Sequence, residues 1–585
     1  MVLILALNWR RTEITEKDLW MYSLKTWLLY SLLFSVAMIK VSALNAAEHD
    51  QYDVLIKNAR VIDGSGRPWA WLDVATVGDR IVAISRNIDK PARKTIDATG
   101  LVLTPGFIDI HSHSDSLLLR DGRALGKIHQ GVTTEVLGEG FSAGPALGMR
   151  PGGAVMTPQG IARWNTLAEY FSVLEKQRTS VNVVSYVGLA AVWECVMGKS
   201  FDRPTEQQFL QMEQLVRQAM LDGAGGLSSQ VMTPPGSLAE TRDVVRLARQ
   251  ISPFDGLFSI HIRNEGLGVF DAVEEAIDVA RQAEVRLDII HLKIADQKYW
   301  GKMNRLIEII DNARDEGIDV QANVYPYTRG NNNLKSIVPP WAHEGGDKKM
   351  LERLASTETR ERIIADAENG IEGWYNHYTA VGKDWGRMLI SGEHQYKGLT
   401  MDRVFALRGT RNNKLADMLD LLIENGGGIS TVFAHHDEPD MLLALRQPWC
   451  SVGSDGSAYA VEGPLRQGNP HPRNFGTFPR LLGYYSRDRQ ILSLESAVQK
   501  ITSLNAAKLN LDDRGLVAVG KKADLVLFDA KVIIDKSEYT APFQYPKGIA
   551  YVIVNGELTL TRGKHNGTKA GRVLRLSERP RDELR

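Results

Sequence analysis

The segment from Gly256 to Ile294 limits the possible folds more than any other part of the chain. Leu257 to Ile262 reads as a strand; Phe270, Val273, Ile277 and Ala280 then recur at helical spacing; Val285 to Ile294 reads as a second strand. On that second strand Val285, Leu287, Ile289, His291 and Lys293 share one face, and Ile290, Leu292 and Ile294 the other. A strand apolar on both faces must be covered on both, and strand–helix–strand alternation implies parallel pairing through crossover helices. The expected fold is α/β, a TIM-like (β/α)8 barrel, whose chemistry gathers at the carboxyl ends of its strands.

Polar residues fall at those ends. Thr104 to Asp115 reads as a buried strand entered through a Pro-Gly turn, and strand parity sends His111 and His113 to one face. His261 ends the inward face of its strand, His291 and Lys293 come last on theirs, and Asp455 is the last inward position of a strand from Trp449. Four imidazoles and a carboxylate at one barrel mouth point to a divalent metal centre. Such a cation polarises a carbonyl and acidifies water, and Asp455, kept ionised beside it, can carry a proton. Adjacent His435 and His436 face opposite ways on a strand, and His129 lies on an expected helix, so all three read as structural.

The rest of the 585-residue chain frames this barrel. Residues 1–47 have the order of a secretory signal, a basic start, the apolar run Trp27 to Ile39 and small residues Ala43, Ala46 and Ala47, with Met21 as an alternative start. Export to the periplasm is expected, with no stable membrane contact after cleavage. Only Cys195 and Cys450 are present, which excludes a disulfide framework. Short strands and turns over 48–104 and again over 512–585 suggest one small β-sandwich domain built from both chain ends. The barrel is expected over 105–511, with an insertion at about 328–428 after the strand Val320 to Tyr327, and with Ile429 to His435 resuming the barrel. Lys and Arg number 70, equal to Asp and Glu, and no basic run is interleaved with aromatics, so a nucleic-acid partner is not expected. Neither a phosphate-cradling Gly-x-x-x-x-Gly-Lys nor a Gly-x-Ser-x-Gly nucleophile elbow occurs.

Several motifs in order, Thr104-Pro105-Gly106-Phe107-Ile108-Asp109 with the His pair, Gly131-Val132-Thr133-Thr134, Gly226-Leu227-Ser228-Ser229, His261-Ile262-Arg263-Asn264-Glu265-Gly266, His291-Leu292-Lys293, Tyr325-Pro326-Tyr327, Gly453-Ser454-Asp455-Gly456 and His471-Pro472-Arg473, carry a resemblance. From about Asp53 to Arg575 the chain resembles the amidohydrolase superfamily and, within it, the D-aminoacylase (N-acyl-D-amino-acid deacylase) group. The resemblance implies that His111, His113, His261 and His291 ligate zinc, as one or two divalent ions, and that Asp455 is the general acid/base. It implies that Lys293, Tyr325 and Arg473 hold a small N-acyl amino acid substrate. Two positions depart from the group. Its Gly-Asn-Cys-Gly metal ligand is here Gly138-Glu139-Gly140, where Glu139 would replace the thiolate as a metal-bridging carboxylate. Its Gly-His loop is here Gly188-Leu189, which alters the acyl side of the site. Competing readings are a cyclic amidase of the hydantoinase and dihydroorotase type, a dipeptidase on unusual peptide bonds, and an exported binding protein with a dead barrel. The first two usually need a carboxylated Lys, not evident at a suitable strand end; the third is disfavoured by Asp455.

Overall fold

The computed structural model describes residues 51–576, so the expected signal segment 1–47 lies outside the described residues. Eight parallel strand segments follow one another: Phe107–Asp109, Val132–Leu137, Asn182–Ser185 continuing as Val187–Gly188, Gly226–Gln230, Leu257–His261, Arg286–Ile289, Val320–Val324 and Cys450–Val452. A parallel bridge between Ser112 and Gly456 joins the last segment to the first and closes the ring. Helices wrap the outside where the sequence has helical periods. Val269–Ala283 buries Phe270, Val273, Ala276, Ile277 and Ala280, and Glu206–Leu221 starts from a capping box of Thr205 and Gln208. The barrel and these helices share one large apolar core.

The strands are shorter than their apolar runs suggest. The sixth ends at Ile289 and the eighth at Val452, so His291 and Asp455 sit on the turns that follow, both with left-handed backbone, φ of +38° and +49°. Such conformations cost non-glycine residues energy and persist where the surroundings enforce them, commonly at functional sites.

Ser430–Phe433 does not resume the barrel as expected. It pairs antiparallel with Gly330–Asn333 and with Met388–Ile390, forming a separate three-stranded sheet over the mouth side. That sheet packs on its own apolar cluster, including Leu334, Met350, Trp385, Met418 and Phe433. A short apolar run looks the same in either sheet, and only its partners decide.

Strands from both chain ends share one nine-stranded sheet, with Val102–Pro105 paired antiparallel to Leu525–Phe528. A bridge from Arg80 to Lys522 brings its far edge back, so the sheet curls around Ile56, Val74, Ile81, Leu103, Leu525 and Ile553. Asp524 and Asn555 of this sheet hydrogen-bond Asn182 of the third barrel strand, 3.0 and 2.7 Å. The final described stretch returns to the barrel, where Val573 bridges Val183. Cys195 and Cys450 are free and buried, and among the described residues no helix is long and apolar enough to cross a membrane.

Candidate metal centre

At the carboxyl end of the barrel two groups of metal-capable side chains adjoin. In the first, one ligand atom each from His111, His113, Glu139 and Asp455 lies within 4.8 Å of the others. His113 Nε2 is 2.9 Å from Asp455 Oδ1 and 3.1 Å from Glu139 Oε2, and His111 Nε2 abuts the same Glu139 oxygen. In the second, Glu265 Oε1 lies 3.9 Å from His261 Nε2 and 3.0 Å from His291 Nδ1. The His111 and His291 rings, 5.2 Å apart, connect the two.

Local backbone explains how these side chains meet. Glu135 and Glu139 would share a strand face, yet Glu135 turns back to accept hydrogen bonds from Ser112 and Ser114 while Glu139 enters the site. Gly138 makes the switch: its φ is +91°, and a Cβ there would meet Tyr186 O at 2.4 Å. Gly453 gives His111 room, since a Cβ at that position would lie 2.9 Å from the His111 Cβ.

The donor set fits a divalent ion. Lone pairs of imidazole nitrogens and carboxylate oxygens converge on a small space and repel one another unless positive charge lies between them. Burial opposes charge on His113, but Glu139 and Asp455 outweigh it and push its pKa up to about 10, a proton there supplying the charge a cation would bring. Burial, reinforced by the Lys293 ammonium, pushes His291 down to about 4, leaving a neutral imidazole able to ligate. Burial also opposes ionisation of Asp455 and Glu265. Arg473 and His111 overcome it for Asp455, and Lys293, His261 and His291 for Glu265, holding both carboxyls below their usual range. Nitrogen and oxygen ligands without thiolate suit zinc and its neighbours.

A cavity of about 390 Å³ opens over the first group. Of the residues expected to hold substrate, Arg473 lines it, donating from Nη1 to Asp455 Oδ2 at 2.7 Å. Tyr325 and Lys293 stand one layer behind. The Tyr325 ring lies 4.9 Å under the Arg473 guanidinium, and Lys293 is buried against Glu265 and 2.7 Å from His291 Nδ1. Across the cavity the inserted region supplies Asn331, Ser391 and Ser430, joined by hydrogen bonds, with Glu393 beside them. Glu265 was not singled out in the sequence because it lies on the loop after a strand, beyond reach of strand parity. His435 and His436 belong to neither ligand group; both are buried and held neutral by burial.

A closed parallel barrel with imidazoles and carboxylates converging at its mouth defines a metal-dependent hydrolase of the amidohydrolase type. The amidohydrolase family profile matches residues 94–560, and the chain belongs to that family. It is 30% identical over 534 residues, 91% of this chain and 99% of the relative, to a D-aminoacylase of Alcaligenes xylosoxydans xylosoxydans. It is 31% identical over 528 residues to an N-acyl-D-glutamate deacylase of the same organism, covering 90% and 97%. A crystal structure of D-aminoacylase superposes with a TM-score of 0.74 at 30% identity, covering 89% of this chain and 99% of that one. An N-acyl-D-glutamate deacylase from Bordetella bronchiseptica, complexed with zinc and a phosphonate mimic of the tetrahedral intermediate, superposes with a TM-score of 0.75 at 27% identity, covering 90% and 100%.

Proposed function

We propose that this protein hydrolyses the amide of N-acyl-D-amino acids to a carboxylate and a free D-amino acid. The observation that carries this reading is the convergence of His111, His113, Glu139 and Asp455 beside His261 and His291, with Arg473 bordering the same cavity. Similarity to D-aminoacylase along nearly its whole length supports it. His111, His113, Glu139, His261 and His291 would hold one or two zinc ions, Glu139 standing where the group has its Cys ligand. When bound, the ion supplies a Lewis acid that polarises the scissile carbonyl and makes water acidic near neutral pH.

The chain's own residues do the rest. Asp455 Oδ2 is fixed by Arg473, which leaves Oδ1, facing the histidine pair, to accept the proton of the attacking water and return it to the leaving amine. The free edge of the Arg473 guanidinium suits the substrate's α-carboxylate, a planar fork against a planar anion. Tyr325 and Lys293 contribute by position: the first supports Arg473, and the second fixes His291 and Glu265. The leader-like segment 1–47 favours a periplasmic place of action.

The test is an assay of zinc-loaded protein on N-acetyl-D-amino acids, N-acetyl-L-amino acids and hydantoins side by side. Turnover of the D series alone is expected. Turnover confined to the L series or to rings would reject the reading.

A further inference from the structure

A second cavity, larger than the first at about 580 Å³, opens beside it, and the two share Gln230 and Asn332 in their walls. Its lining includes Phe141, Met232, Pro234, Pro340 and Trp374, and Phe141 stays 43% exposed although large and apolar. The charged groups on its wall are already satisfied. Lys199 pairs with Glu194, Lys335 lies 2.7 Å from Asp347, and His343, held neutral by burial, engages Val338 O at 3.1 Å. A charged occupant would have to compete with these existing pairs, whereas an apolar one would cover exposed carbon.

The barrel's geometry says which part of a substrate reaches this space. Gln230 ends the fourth strand, and Arg473 opens the helix Arg473–Arg480 after the eighth. In a ring of eight, the fourth and eighth strands face each other across the mouth. A substrate with its carboxylate on Arg473 and its amide carbonyl among the histidines therefore directs its acyl chain away from Arg473, past Gln230 and into the second cavity. Phe141 lies two residues beyond Glu139, its amide donating to Glu139 O at 2.5 Å, so the apolar wall starts immediately beside the metal-capable carboxylate.

We infer that the second cavity is an acyl-chain site, and that the preferred substrates carry a medium-length unbranched fatty acyl group in place of acetyl. The inference rests on the deacylase reading above, but it can be tested apart from it. Zinc-loaded protein is assayed on N-octanoyl- and N-acetyl-D-alanine, and octanoate binding is titrated calorimetrically with wild type and with Trp374→Glu, a half-buried position able to take a charge. The expected results are a kcat/KM at least about tenfold higher for the octanoyl substrate and octanoate binding weakened at least about tenfold by Trp374→Glu. Equal kcat/KM for the two acyl groups, a preference for N-acetyl over N-octanoyl, or octanoate binding indifferent to Trp374→Glu would overturn it. Protein that binds octanoate in this Trp374-dependent way yet cleaves neither substrate keeps the acyl site and loses the deacylase reading. Protein that cleaves N-acetyl-D-alanine with no gain from the longer chain does the reverse.

Discussion

Asp455 and Glu139 both approach the histidine pair, and their surroundings give them different work. Asp455 is buried, tied to Arg473 and held on a left-handed turn, so it is fixed and ionised without needing to ligate. Asp455→Asn preserves its shape and is expected to leave zinc content unchanged while lowering kcat by roughly 10²- to 10⁴-fold. Metal analysis run beside the kinetics checks this, and a parallel loss of zinc would recast Asp455 as a ligand. Among the described residues Glu139 has no arginine partner, and it meets His111 and His113 directly. Glu139→Gln is expected to weaken zinc binding at least about tenfold, whereas Glu139→Cys, restoring a thiolate, keeps occupancy; competition with a chromogenic chelator reads both. Strand parity pointed to His111, His113, His261, His291 and Asp455, and these residues do come together, although only His261 stands within a strand and the other four follow strand ends. Parity said nothing of Glu265, four residues after His261 on a loop, and nothing of Lys293 packing under His291 instead of facing the cavity.

At the scale of elements, the ring must close between its first and last strands, and a buried lysine is central to that seam. Lys127, on the short helix Leu125–Ile128, is fully buried and reaches Asp109 at 2.7 Å, Ser454 Oγ at 3.0 Å and Gly456 O at 3.1 Å. Asp109 also accepts from the Ser454 amide at 2.7 Å, so one ion pair joins the first strand to the loop that carries Asp455. Lys127→Met removes the buried cation from Asp109 and from Glu135, whose carboxylate lies 3.6 Å from the ammonium, and is expected to destabilise the protein by about 3–5 kcal/mol, read as a lower urea midpoint. Adding Asp109→Asn should recover part of that loss, because the nearer of the two orphaned carboxylates is neutralised; no recovery would mean that the Asp109 pair does not hold the seam. This device was not legible in the sequence, where Lys127 is one cation on the helix expected around His129. The strands it joins were legible, since an apolar run covered on both faces has few other homes. Ser430–Phe433 has the same texture but belongs to the inserted sheet, which the run's composition does not reveal.

Among the described residues the barrel, the inserted sheet and the small β-sheet each pack on a large apolar cluster of their own, and the chain's two ends and its insertion differ in how they connect to the mouth. The small β-sheet draws on both ends and is knitted to the third barrel strand through Asp524, Asn555 and Asn182, and similar strand texture at the two ends is what made their pairing readable. The insertion is different: it leaves and re-enters the barrel region through Gly330 and Phe433, which face each other as an antiparallel pair. Paired residues of this kind lie about 5 Å apart at Cα, so a short glycine linker can replace everything between them. The inserted sheet packs mainly on its own cluster, while the barrel keeps its own strands, helices and metal-capable side chains. Protein lacking residues 331–432 is therefore expected to retain cooperative unfolding and zinc binding. Its catalytic loss should be concentrated in KM, because Asn331, Ser391 and Ser430 are removed from the substrate cavity while Asp455 and Arg473 stay. Calorimetry, metal analysis and steady-state kinetics on this variant decide the point: loss of zinc together with the unfolding transition would show that the insertion is part of the barrel's structural core and not a wall added to its mouth.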